Sequence, residues 1–227
     1  MEKAQGNFVY RNLANAASIF GVLPIGLLFL DGGYVYLIPF LVFNNFMDDL
    51  DGVLARKLKI GSLLGAHLDN VCDTVVHVSL VLIVSAHYGI GMLLIGMIPA
   101  TAIIIRLTGR LNPDEVSGNG TPTNELMRHM IFVLLLAGLY EVDPQPYLVL
   151  IFIFHTVTML VPFKFTFLIR GRANSATAIA LVNVVLIAAC LVPKLAPLIA
   201  APFFVTYLYS FALGGTQYLK ERNHQRN

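Results

Sequence analysis

Long apolar runs separated by short polar turns alternate along this chain. Where polar residues interrupt a run they recur at helical spacing, not in the alternation of a half-buried strand. The runs fall at 14–30, 34–55, 62–85, 88–107, 124–140, 147–169, 175–191 and 197–213. With their flanks, each is long enough for a bilayer core of about 30 Å. The pattern predicts an all-α, polytopic membrane bundle of about eight transmembrane helices in one membrane-embedded domain spanning 1–227. A surface segment at 1–13 precedes the bundle at 14–213, and a cytosolic tail at 214–227 follows it. The first run lacks a small-residue cleavage site, so it reads as a span and not as a signal peptide.

Composition agrees. Of the 227 residues 57% are hydrophobic and 12% charged, against about 25% charged in soluble domains. With both termini cytosolic, every one of the 15 lysines and arginines except Lys194 lies on the inner side, the asymmetry that orients membrane helices. The chain is therefore expected to be multi-pass in the cytoplasmic membrane, and its net charge of +2 reflects topology, not nucleic-acid binding. Cys72 and Cys190 both sit in apolar runs, which gives neither a disulfide framework nor a metal-ligand spacing.

Polar positions within the runs carry the chemistry. The stretch from Asp48 to Asp73 reads DDLDGVLARKLKIGSLLGAHLDNVCD. On a helix, Asp48, Asp51, Gly52 and Ala55 share one face with Arg56 just beyond; on a second helix Gly65, Asp69 and Asp73 do the same. The basic, glycine-containing KLKIGS between them suits a short turn, so two carboxylates would face two. An uncompensated aspartate in the membrane costs roughly 2.5 to 3.5 kcal/mol, and four converging acids with one arginine exceed what ion pairing answers. Oxygen ligands without His or Cys on those faces favour Mg²⁺, Mn²⁺ or Ca²⁺ over zinc. Small Gly52, Ala55 and Gly65 leave room for a phosphate-bearing substrate. About 14 residues of helix from Tyr34 place Asp48 roughly 21 Å along it, inside the cytosolic half of the bilayer and open to a site facing the cytosol.

The spacing D-x2-D-G-x2-A-R-x8-G-x3-D-x3-D resembles the signature of the CDP-alcohol phosphotransferases (CDP-alcohol phosphatidyltransferases) without departure: Asp48, Asp51, Gly52, Ala55, Arg56, Gly65, Asp69 and Asp73. A chance match is on the order of 10⁻¹⁰ per starting position. The resemblance implies transfer of a phosphatidyl group from CDP-diacylglycerol to a polar alcohol with release of CMP, using two divalent cations, Mg²⁺ or Mn²⁺. It assigns Asp48, Asp51, Asp69 and Asp73 to the metals and Asp51, Gly52, Ala55, Arg56, Gly65 and Asp69 to the CDP moiety. Asp73 becomes the base, and a homodimer is expected. For Arg56 the plainer reading is an inner-end topology charge; Asp49 lies off the motif face and has no assigned role.

The opening from Asn12 to Ser18, the Arg106-to-Asn112 segment and Pro162-Phe163-Lys164 resemble elements of the branch that uses L-serine and makes phosphatidylserine. On that reading Arg106, Arg110 and Lys164 are the candidates for binding the alcohol. The alternatives are another acceptor, such as glycerol 3-phosphate or inositol phosphate, and, in a different class, a cation or proton transporter, since intramembrane acids also mark ion paths. His77, one turn past Asp73, and Arg128 and His129 at the start of the fifth run either touch the site or are polar residues satisfied between helices.

Overall fold

The computed structural model describes residues 8–111, 122–163, 165, 168–169 and 175–224. Among the described residues the only regular structure is helical. A short exposed α1 (Phe8–Arg11) leads into α2 (Leu13–Val22), which tightens to a 3₁₀ segment, Leu23–Phe29, where Pro24 enters; proline has no N–H to continue the α-helical ladder. A second 3₁₀ turn, Gly33–Tyr36, feeds α3 (Leu37–Leu58). Then follow α4 (Leu63–His87), α5 (Ile90–Leu111), α6 (Pro122–Tyr140), α7 (Gln145–Leu160), α8 (Ala176–Leu191) and α9 (Ala196–His224).

Three stretches, Leu63–His87, Ile90–Gly109 and Pro193–His224, are long and apolar enough to cross a membrane, and Leu13–Phe29, Gln145–Leu160 and Ala176–Leu191 are shorter apolar helices. Large apolar side chains point outward along them, including Ile90, Leu94 and Ile98 on α5 and Leu198, Val205 and Leu208 on α9. In water such faces would be contact or aggregation surfaces; around an apolar bundle they are what lipid covers. The chain is membrane-embedded.

Two boundaries differ from the sequence expectation. The run expected to reach residue 169 ends as helix at Leu160, because Val161 is extended (φ −72, ψ 143); it precedes Pro162, whose ring disfavours the α conformation in the residue before it. The last run continues to His224 as one 29-residue helix, so the segment expected as a tail from residue 214 is helical to that point. At 1.5 Å per residue α9 is about 43 Å long, longer than a bilayer core of about 30 Å.

The most enclosed helix is α6, buried at every position from Pro122 to Val133, with α3, α4, α7 and α9 packed on it. Its polar residues are paired inside the bundle. Arg128 donates to Glu125 at 2.7 Å, and His129 Nδ1 and His155 Nε2 share a hydrogen bond of 2.7 Å. Tyr207 on α9 completes the set, 2.5 Å from Thr158 Oγ1 and 3.1 Å from His155 Nδ1. Leaving one partner of a buried neutral hydrogen bond unsatisfied costs about 1 to 3 kcal/mol, so the His129–His155 and Tyr207 contacts, which run between helices, fix the register of α6, α7 and α9. At the other side α2 packs against both α3 and α4, which touch each other far less than either touches α2. The two acid-bearing helices are held together by a third, where the sequence suggested a simple hairpin.

Candidate functional site

The turn between α3 and α4 sets the site. Helix α3 stops at Lys59, left-handed at φ 54 and ψ 40, whose N–H reaches the carbonyls of Ala55 and Arg56. A side chain in that conformation costs roughly 1 to 2 kcal/mol, and Gly61, the glycine of the turn, lines open space beside the acids. Ser62 then caps α4, its hydroxyl accepting from the Gly65 N–H at 3.0 Å.

This turn brings Asp48 and Asp51 of α3 to Asp69 of α4. Each of the three offers a carboxylate oxygen, all within 4.8 Å of one another. Asp51 is buried, and Asp48 and Asp69 are half-buried. At that separation two carboxylates repel by roughly 3 kcal/mol with an effective dielectric of about 20, which calls for a counter-charge. Hard oxygens suit a hard divalent cation, and opposite ligands at bond lengths of about 2.1 to 2.4 Å stand about 4.2 to 4.8 Å apart. The cluster fits a metal ion. Asp73, half-buried one turn beyond Asp69 on α4, is not one of the three.

Neighbouring helices orient the acids. Ser18 on α2 donates to Asp51 Oδ2 at 2.5 Å, and Asn124 on α6 donates to Asp48 Oδ2 at 2.8 Å. Asp49, the acid left without a role, is buried on the far side, where its Oδ2 accepts from Asn183 of α8 at 2.6 Å.

A cavity of about 190 Å³ opens beside the cluster, lined by Ala14, Asn15 and Ser18 of α2, by Asp51, Gly52 and Ala55 of α3, by the turn, and by Gly65, Ala66 and Asp69 of α4. Five of the six residues the resemblance assigns to CDP therefore share one cavity. Arg56, the sixth, is exposed, with its guanidinium over Gly52: a Cβ there would lie 3.2 Å from Arg56 Nη1. A Cβ on Gly65 would lie 2.8 Å from Asn15 Oδ1 and 3.1 Å from the Ser62 hydroxyl, so both motif glycines stand where a side chain would crowd the cavity wall.

Beside Asp48 lies a second cavity of about 10 Å³, lined by Asn44, Asn45, Asp48, His77, Asn124 and Arg128 with three apolar side chains; that volume holds about one water. Arg128 is fully buried there, with Nε and Nη2 unpaired by any protein atom. Of the residues expected to bind the alcohol, Arg106 is half-buried and donates to the Met159 carbonyl at 3.3 Å, close to the end of α7, and it lines neither cavity. The side chain of Arg110, and Lys164, lie outside the described residues.

Ser18 entered the sequence reading only as the end of the Asn12-to-Ser18 element and not as a partner of an acid, and Asn124 and Asn183 were given no site role. Only α2 carried a signal: Ala14, Asn15 and Ser18 are small or polar residues on one face of an apolar helix, the composition of a close helix contact. Asn124 read as a helix start and Asn183 as an isolated polar residue in an apolar run. Among known proteins, a family model described as CDP-alcohol phosphatidyltransferase matches residues 11–168, more than half of the chain. No curated protein matches it.

Proposed function

The chain belongs to the CDP-alcohol phosphatidyltransferase family, and from that premise we propose that it transfers the phosphatidyl group of CDP-diacylglycerol to L-serine, forming phosphatidylserine and releasing CMP. The observation that carries the reading is the Asp48, Asp51 and Asp69 cluster, two of whose members, Asp51 and Asp69, line a 190 Å³ cavity with small-residue walls.

In this reading the bundle has about eight spans with both termini cytosolic, and the cavity opens to the cytosol, where the nucleotide is. Gly52, Ala55, Gly65 and Asn15 bound the cytidine diphosphate, with Arg56 over its phosphates; an arginine fork is always charged and matches phosphate oxygens. Asp48, Asp51 and Asp69, with Asp73 sharing, would hold Mg²⁺ or Mn²⁺. Bound there, two such ions would neutralise the pyrophosphate and the leaving CMP. Asp73 takes the proton of the serine hydroxyl as its oxygen bonds the phosphatidyl phosphorus and the bond from phosphorus to the CMP oxygen breaks. Ser18 and Asn124 hold Asp51 and Asp48 in place throughout.

Serine is favoured over a phosphorylated acceptor by charge. The 190 Å³ cavity is lined by no lysine or arginine among the described residues, whereas a phosphomonoester asks for a denser set of cations. Arg106, Arg110 and Lys164 remain the inner-end candidates for the serine carboxylate. A homodimer follows from the family resemblance.

The test is CMP release by purified protein given CDP-diacylglycerol, Mn²⁺ or Mg²⁺, and serine, inositol phosphate or glycerol 3-phosphate. Release with serine alone is the expected result. Release with a different acceptor alone would discard serine and keep the transferase, whereas silence across a broad alcohol panel would favour an ion or proton transporter.

A further inference from the structure

The matched region stops at residue 168, yet helix α8, beyond it, grips the helix that carries two of the three clustered acids. Asn183 donates from Nδ2 to Asp49 Oδ2 at 2.6 Å, and its Oδ1 accepts from Asn45 Nδ2 at 2.9 Å. All three side chains are buried: Asp49 is 2%, Asn183 5% and Asn45 8% exposed. Asn45 and Asp49 are four residues apart on α3, so one amide is held at both ends by adjacent turns of the same helix. Its orientation is fixed by chemistry, since a carboxylate accepts and the amide nitrogen must face it.

We propose that Asn183 is a positioning residue for the metal site, locking the rotation and axial register of α3 through Asp49 and Asn45 so that Asp48 and Asp51 meet Asp69. This rests on the metal site proposed above. Asp48 and Asp49 are consecutive, about 100° apart around α3, so a grip on one sets the direction of the other. A carboxylate rides about 6 Å from the helix axis, and a 20° turn of α3 would carry it by about 2 Å. Metal–ligand distances tolerate about 0.2 Å. The same grip keeps the Asp49 carboxylate turned to α8, away from the cluster one residue earlier. The stretch read from the sequence thus holds two kinds of acid: Asp48, Asp51 and Asp69 face inward to one another, and Asp49 is the handle by which α8 holds them.

The test measures Mn²⁺ binding to purified protein from the loss of the free-ion electron paramagnetic resonance signal, with no substrate present. Asn183→Asp sets two carboxylates against each other, and Asn183→Ser removes the grip without adding charge. The expected result is Mn²⁺ affinity weakened tenfold or more in both, the range seen when a group supporting a ligand is lost. The exchange variant, Asp49→Asn with Asn183→Asp, returns a donor opposite an acceptor between α3 and α8, giving up only the bond from Asn183 to the Ile179 carbonyl of its own helix at 3.1 Å, and recovers affinity to within about threefold of the unsubstituted protein. Unchanged Mn²⁺ affinity in both single variants, with only a lower thermal midpoint, would overturn the proposal and leave Asn183 a helix-packing residue. Failure of the exchange to recover affinity would also overturn it. No Mn²⁺ binding by the unsubstituted protein would instead remove the metal site on which the proposal stands.

Discussion

Replacing Ser18 by alanine deletes one hydroxyl from the wall of the site and nothing else. Its single proton has two acceptors in reach, the Ala14 carbonyl at 3.3 Å and Asp51 Oδ2 at 2.5 Å. The shorter contact to a charged oxygen is the stronger, so the proton belongs to Asp51. Both residues are buried, at 7% and 5% exposed, and both line the 190 Å³ cavity, so a water admitted there sets the lower end of the loss. A hydrogen bond to a charged group is worth about 1.5 to 3 kcal/mol, and at 1.4 kcal/mol per tenfold that is roughly a 10- to 150-fold loss. If Asp51 is a ligand, the loss falls on the metal: Ser18→Ala should raise the Mn²⁺ concentration giving half-maximal CMP release by at least about tenfold. Near-wild-type turnover should return at saturating Mn²⁺. The assay is a metal titration of CMP release at fixed CDP-diacylglycerol and acceptor, with a thermal melt to confirm folding. Half-saturation within twofold of the unsubstituted protein would refute the assignment of the Ser18–Asp51 bond to metal binding.

Two further outcomes follow, one from the base role proposed for Asp73 and one from the cavity wall. Asp73→Asn should lower turnover by about 10² to 10⁴, the usual contribution of a general base, while CDP-diacylglycerol still binds, measured by equilibrium dialysis; undiminished turnover would remove Asp73 as the base. Gly65→Ala puts a Cβ 2.8 Å from Asn15 Oδ1 and 3.1 Å from the Ser62 hydroxyl on the cavity wall, so the KM for CDP-diacylglycerol should rise roughly tenfold through overpacking. An unchanged KM would mean that this cavity does not hold the nucleotide.

The acids were legible in the sequence because their chemistry is costly in a membrane and their spacing is that of a helix face. Asp48, Asp51 and Asp69 accordingly come together in the fold. The helical class was legible for the same reason, from apolar runs of span length. What the sequence left hidden is everything that depends on which helices touch. Helix α2 lies against both acid-bearing helices, and no local pattern announces that its Ser18 meets an acid 33 positions away. Asn183 pairs with Asp49 across 134 positions, a contact fixed by packing and not by periodicity. The end of α7 was misplaced by about nine residues because hydrophobicity continues past Val161 while the backbone cannot, with Pro162 next. The glycine in KLKIGS marked the turn, but which residue turns left-handed was not legible: it is Lys59, whose N–H satisfies the carbonyls of Ala55 and Arg56. Arg128 read from the sequence as a polar residue at a helix start; that it lines a one-water cavity with Asp48, at the heart of the most buried helix, depends on packing.

The most direct test of the account is whether CMP release from CDP-diacylglycerol depends on a divalent ion held by the aspartates. Purified protein treated with a chelator should release no CMP, and added Mn²⁺ or Mg²⁺ should restore it in the unsubstituted protein but not in Asp48→Asn or Asp69→Asn. CMP release that persists in excess chelator, or that is restored equally in those variants, would contradict it.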